Sequence, residues 1–149
     1  GPLTVSKVVA ATPPPAYVSD AIMAHKTSSL RAEMVSQPET RSYDPAEIRA
    51  STGIVIPAMP EKWTVHDVQL FPSNFGPSVE MEVRSDSLGP VSLFAVRPGT
   101  FDVVKPRALR VNGTSAAYFQ IGDVAYALVS DAATADLEKA ALGLAKTLY

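Results

Sequence analysis

The sequence predicts an α+β domain: an antiparallel β-meander of about four to six strands, with N-terminal helices and a C-terminal helix packed on one face. Three observations carry that prediction. Val79, Met81 and Val83 alternate with Ser78, Glu80, Glu82 and Arg84, the period of two that marks a strand with one buried face. Two apolar runs, Tyr118 to Ile121 and Val124 to Val129, flank the dipeptide Gly122-Asp123, which reads as a β-hairpin. Leu137, Ala140, Ala141, Leu144 and Leu148 then recur at spacings of three and four, one apolar stripe along a helix that can cover the hairpin. Strands and helices do not alternate, so a parallel sheet is not expected.

Taken in order, residues 1–15 hold small and apolar residues and close on Thr12-Pro13-Pro14-Pro15. Consecutive prolines favour extended backbone and exclude a helix, so this stretch reads as a tether ending in a stiff spacer. Its Gly1-Pro2 start has the look of a scar left by tag cleavage. Helix formers dominate from Ala16 to Val35, with Val18 and Ile22, then Ala21 and Ala24, on neighbouring rows, and Leu30 and Met34 further along. That apolar face is thin, and such a helix needs a partner surface in its own chain or a second one.

Gln37-Pro38-Glu39-Thr40 interrupts the helix. Asp44-Pro45-Ala46-Glu47 supplies a cap acceptor, a proline at the first helical position and a glutamate three residues after the cap, while Gly53 follows as a stop. A short helix from Pro45 to Thr52 is expected. Ile54 to Pro57 and Met59-Pro60 form an apolar connector too rich in proline for a central strand. Trp63 to Phe71 reads as a strand and residues 73–77 as a loop. The strand from Ser78 to Arg84 should turn its polar row to water. Val91 to Val96 is apolar on both faces except at Ser92, as in an interior strand. Phe101 to Val104 is a candidate edge segment, and Leu109 to Val111 leads into Asn112-Gly113, the strongest two-residue hairpin signal.

Composition narrows the function. The 149 residues are 46% apolar with a formal net charge of −2, enough for one domain with its own core and too little basic charge for a nucleic-acid groove. No run approaches the roughly 18 apolar residues of a membrane span. There is no cysteine, which excludes disulfides and thiolate metal sites. The expected organisation is a tether over 1–15 and one domain over 16–149.

No catalytic, cofactor or metal site is expected. His25 and His66 have no ligand-spaced neighbour, and Met23 and His25 leave a helix about 200° apart, so His25 reads as a surface or interface histidine. Asp67 follows His66 on a strand, which sends the two side chains to opposite faces. Glu80 and Glu82 share a strand face at the spacing of paired carboxylates, yet Ser78 and Arg84 beside them favour a solvated face. No glycine-rich phosphate loop or Gly-x-Ser-x-Gly turn is present. Most aromatics fall at strand positions and read as core; Phe75, in a polar loop, is the candidate exposed contact. Ile22, His25 and Phe75 are therefore the candidate partner or dimer contacts. Phe94, Phe119, Gly122, Tyr126, Leu128, Leu137 and Leu144 are the expected framework.

As a whole, residues 16–149 resemble the extracytoplasmic region of transmembrane anti-sigma factors of Gram-negative bacteria. The likeness rests on Ala24-His25 in the first helix, Asp44 opening a short second helix, Ile56-Pro57 in the connector and Ser92-Leu93-Phe94 in a strand. It continues with the Phe119-to-Gly122 step, the strand Tyr126-Ala127-Leu128-Val129 and the helix opening Ala135-Asp136-Leu137. The family often has Trp where this chain has Phe119, and the cytoplasmic sigma-binding segment with its His and Cys motif is absent, as is the transmembrane helix.

The resemblance implies a non-enzymatic periplasmic domain of an inner-membrane protein that holds an extracytoplasmic-function sigma factor through its cytoplasmic segment and releases it under stress. Membrane contact would run only through the missing transmembrane helix. A periplasmic sensor protein, a protease acting on the tether or a second copy of the chain are candidate partners, and nucleic acid is not. Two other classes stand beside this expectation: a constitutive dimerisation or protein-interaction module, and a small-molecule binding domain with a pocket between sheet and C-terminal helix.

Overall fold

The computed structural model describes residues 13–148. The tether expected over residues 1–15 thus lies almost wholly outside the described residues; its last three prolines are non-helical. Helix α1 follows at once, Ala16–Ala32, and α2 spans Pro45–Thr52. Six strands come next: β1 (Trp63–Ser73), β2 (Gly76–Ser85), β3 (Gly89–Val96), β4 (Asp102–Val111), β5 (Thr114–Gly122) and β6 (Val124–Ser130). Helix α3, Thr134–Lys146, closes the fold. Among the described residues no helix is long and apolar enough to cross a membrane.

All neighbouring strands are antiparallel, in the order β1-β2-β3-β6-β5-β4. Two three-stranded meanders therefore join edge to edge through β3 and β6. Tight turns set the register within each. Asn112 and Gly113 both have positive φ, 52° and 83°, the type I′ geometry that matches strand twist. Gly122, at φ 69°, takes the first central position of the β5–β6 turn, with Ile121 paired to Val124 across it.

The α+β class, the antiparallel sheet and the flanking helices are as the pattern predicts, but the expected packing of all the helices on one face is corrected: α1 and α3 cover opposite faces, because both side-chain rows of the inner strands are buried. On one face Met81, Leu93, Phe119, Tyr126 and Leu128 pack with Leu137, Ala141 and Leu144 of α3. Ile54 of the connector and Ile48 of α2 join them. Phe119 stacks on Tyr126 at 5.1 Å between ring centroids, and the Tyr126 hydroxyl donates to the Val55 carbonyl at 2.6 Å, pinning the connector. On the other face Tyr17, Val18, Ala21 and Ala24 of α1 meet Phe94, Ala116, Tyr118, Ala125 and Ala127. Small residues on both partners let helix and sheet approach closely.

Three local expectations change. Helix α1 stops at Ala32, and Leu30 and Met34 are exposed. The edge strand β4 is continuous rather than two segments, with an irregularity between Val104 and Arg107 that accommodates Pro106. The polar row of β2 does not face water: Ser78 and Glu80 are fully buried and Glu82 is half-buried, because α1 lies over them.

Candidate functional site

The same alternation that sends Val79, Met81 and Val83 to the apolar core sends Ser78, Glu80 and Glu82 to α1. Antiparallel register sets Ser92 of β3 directly opposite Glu82. Helical spacing brings the inward row of α1 down in turn: Ala21, Ala24 and Ser28 are buried, with His25 and Arg31 partly so. A polar cluster results beneath the C-terminal half of α1.

Its centre is Ser92. The Ser92 Oγ donates to Glu82 Oε1 at 2.6 Å and is hydrogen-bonded to His25 Nδ1, which itself stands 3.9 Å from Glu82 Oε1. With the Ser92 proton committed to Glu82, the Nδ1–H of His25 donates to Ser92, which fixes the tautomer of a neutral ring. Burial lowers the His25 pKa and supports that neutral form; Lys26 acts the same way and the charge of Asp131 opposes it. Ser92 is fully buried and sits between the imidazole and the carboxylate, not at the end of a relay. The trio thus holds a helix to a sheet and presents no nucleophile.

Glu80 lies one strand step along. It is 1% exposed, and neither carboxyl oxygen makes a hydrogen bond of ordinary geometry; the Ser28 Oγ is also buried without a partner. Burial, then the charge of Glu82, pushes the Glu80 pKa well up, while the nearby Ser28 and Ser92 hydroxyls pull weakly the other way. Burial likewise raises Glu82, offset by Ser92, which donates to it, and by the nearby Glu80 carboxyl group. Burial thus favours the protonated form of Glu80, and the two carboxyl groups titrate as a pair.

Asp67 completes the cluster from β1. It is buried, receives Arg31 at 2.6 Å, the Thr40 backbone N–H at 2.8 Å and Gln69 Nε2 at 3.1 Å. These bonds hold the chain after α1 against the sheet edge, where Val68 N–H also donates to the Thr40 carbonyl at 2.8 Å. The register of β1 on β2 slips between Val65 and Asp67, leaving His66 as the extra residue of a bulge. That corrects the expectation that His66 and Asp67 part to opposite faces: His66 lines a cavity beside Glu82, on the α1 side, while Asp67 pairs with Arg31 of α1. At the far end of α1, Asp20 accepts from the backbone and side chain of Asn74 at 3.2 and 3.0 Å.

The candidate contact residues fall in different places. His25 is turned inward onto Ser92, so the expected surface or interface histidine is a helix-to-sheet anchor. Ile22 is half-buried against the α1 core, and Phe75 sits partly exposed in the β1–β2 turn. Phe94, Phe119, Tyr126, Leu128, Leu137 and Leu144 are all buried, and Gly122 makes the β5–β6 turn. Glu80 and Glu82 read as solvated in the sequence, and Ser28, Arg31 and Ser92 did not stand out as site residues there. The usable signal was the run of polar residues on the row of α1 that also carries Ala21 and Ala24.

No protein-family model matches the chain, and none of the curated proteins does. A solved structure described as a GTP binding regulator from Thermotoga maritima is similar over 69% of this chain and 87% of its own length, at a TM-score of 0.43 and 10% sequence identity. A likeness that distant carries no argument about what this chain does.

Proposed function

We propose that this chain is the extracytoplasmic regulatory domain of a membrane-bound anti-sigma factor, non-enzymatic and periplasmic, with α1 as its movable element. The resemblance of residues 16–149 supplies the family. The observation that supports a regulatory role is the seating of α1, the helix that follows the proline spacer: its N-terminal half packs on apolar residues and its C-terminal half on titratable ones. A helix held by His25, Arg31 and the Glu80–Glu82 pair has an equilibrium that a charge change can bias, and a change in its docking would pass directly to the tether.

The test uses the whole protein in a Gram-negative host with a transcriptional reporter for its partner sigma factor. Deleting residues 16–149, or unseating α1 by Arg31→Ala, is expected to change reporter output relative to the intact protein. Unchanged output in both, with the truncated and variant proteins present at wild-type levels, overturns the reading.

A further inference from the structure

We infer that the outward face of α1 is a contact through which two copies of this chain associate, their α1 helices packed antiparallel. The helix carries two apolar rows. Tyr17, Val18, Ala21 and Ala24 pack on the sheet. Met23, Leu30 seven residues later and Met34 one turn further form a second row that is 61%, 60% and 44% exposed. The Met34 N–H donates to the Arg31 carbonyl at 3.0 Å, which carries the helical path just past Ala32. Residues at spacings of seven and four share one helix face. Large apolar side chains scattered singly over a surface mean little, but a row of them along one helix face marks a contact.

Charge selects what covers this row. Lys26 lies between Met23 and Leu30, and Glu33 between Leu30 and Met34; both are exposed and neither is ion-paired among the described residues. They stand seven residues apart on the same edge of the row. In a parallel pair of α1 helices Lys26 would oppose the partner's Lys26 and Glu33 the partner's Glu33, which is repulsive at both levels. In an antiparallel pair whose two-fold axis passes between them, each Lys26 meets the partner's Glu33, and symmetry makes the pairing twice over. The same axis lies beside Leu30 and brings Met23 toward the partner's Met34. Ser19 and Thr27, also exposed on this face, are small and uncharged and oppose nothing. The face is therefore complementary to itself in shape and in charge. One helix face per copy is smaller than the roughly 800 Å² per partner of a standard interface, which sets the expected dissociation constant between about 10 µM and 1 mM.

Self-association through this face is independent of the anti-sigma reading, since it concerns only residues 19–34 of the chain in hand. Sedimentation equilibrium of the chain at low salt, from about 10 µM to 1 mM, tests it. The expected result is a mass that rises from monomer toward dimer, and stays monomeric throughout for Leu30→Asp. Lys26→Glu alone and Glu33→Lys alone should each weaken association at least about tenfold, because symmetry counts each change twice. The double variant Lys26→Glu with Glu33→Lys should recover to within about threefold of wild type. All three positions are exposed, so each variant should melt at the wild-type temperature when dilute. A monomer at about 1 mM, a dimer that survives Leu30→Asp, or charge reversals whose combination restores nothing would each overturn the inference.

Discussion

The two faces of the sheet are built by the same strands and differ in kind. The α3 face is closed by Leu137, Ala141 and Leu144 over Phe119, Tyr126 and Leu128, and its one buried phenol, Tyr126, is bonded to Val55. The α1 face mixes Ala21, Ala24 and Tyr17 with a carboxyl pair, an imidazole and an ion pair. Every buried side-chain polar atom without a partner among the described residues, on Tyr17, Ser28 and Glu80, belongs to that second interface. One face is thus fully satisfied and the other is not. A sheet can serve as a fixed scaffold on one side and hold a shiftable helix on the other, because its two side-chain rows are chemically independent.

The largest effect expected from breaking this contrast is on the closed face. Phe119→Ala removes a fully buried ring stacked on Tyr126, and denaturant unfolding should show a loss of about 3–5 kcal/mol of global stability. On the α1 face, Arg31→Ala leaves Asp67 buried with only neutral donors. A loss of roughly 3 kcal/mol is expected, since breaking a buried pair costs more than the pair contributes. Amide exchange should separate the two: the Arg31 variant exposes α1 and residues 37–42 first, whereas the Phe119 variant lowers protection throughout.

pH sharpens the contrast next. The folded-state pKa of Glu80 lies above its unfolded value, so its contribution is fully present below about pH 4.5 and is lost as pH rises through the folded value. His25 runs the other way. Its folded pKa is depressed, so its contribution is present above about pH 6.5 and is lost on acidification. Wild-type stability should therefore fall as pH rises from about 4.5 through the folded value of Glu80, with His25 opposing that fall only up to about pH 6.5. Glu80→Gln removes the proton the buried site must hold. Thermal melts of that variant should depend less on pH above about pH 4.5, with a Tm advantage over wild type that grows as pH rises. A Glu80→Gln curve parallel to wild type would place the pH response elsewhere.

How much of this was legible in the sequence depends on the range of the interactions. Asp44, Pro45 and Gly53 announce α2 within ten residues, and Asn112-Gly113 and Gly122-Asp123 announce their turns, because each signal is a backbone requirement met locally. The apolar row of β2 and the stripe of α3 were equally plain. Burial of Glu80 and Glu82 was not, because alternation says that two rows differ but not which helix covers the polar one. His66 escaped for a related reason: a bulge adds one residue and resets the facing of the later residues of its strand, and nothing in the period of β1 shows where it falls. The candidate site is therefore the part least visible in the chain, assembled from residues 25, 28, 31, 67, 80, 82 and 92 by tertiary contact.

The smallest expected effect tests whether local and tertiary signals trade off between the helices. Neither α1 nor α3 has a side-chain cap: Pro15 and Ala133 precede them, and burial holds both in place. Helix α2 is the reverse, with no fully buried residue and Asp44 accepting from Ala46 N–H at 3.0 Å. Eight residues are too few for a helix to persist without help, and Ile48 alone touches the core on its behalf. Asp44→Ala should therefore cost about 1 kcal/mol, felt within residues 45–52 and the Ile54 contact, with exchange of α1 and α3 amides unchanged. If α1 exchange rises as well, the stretch between the two helices is mechanically coupled across the β1 edge, and the two faces are less independent than their chemistry indicates.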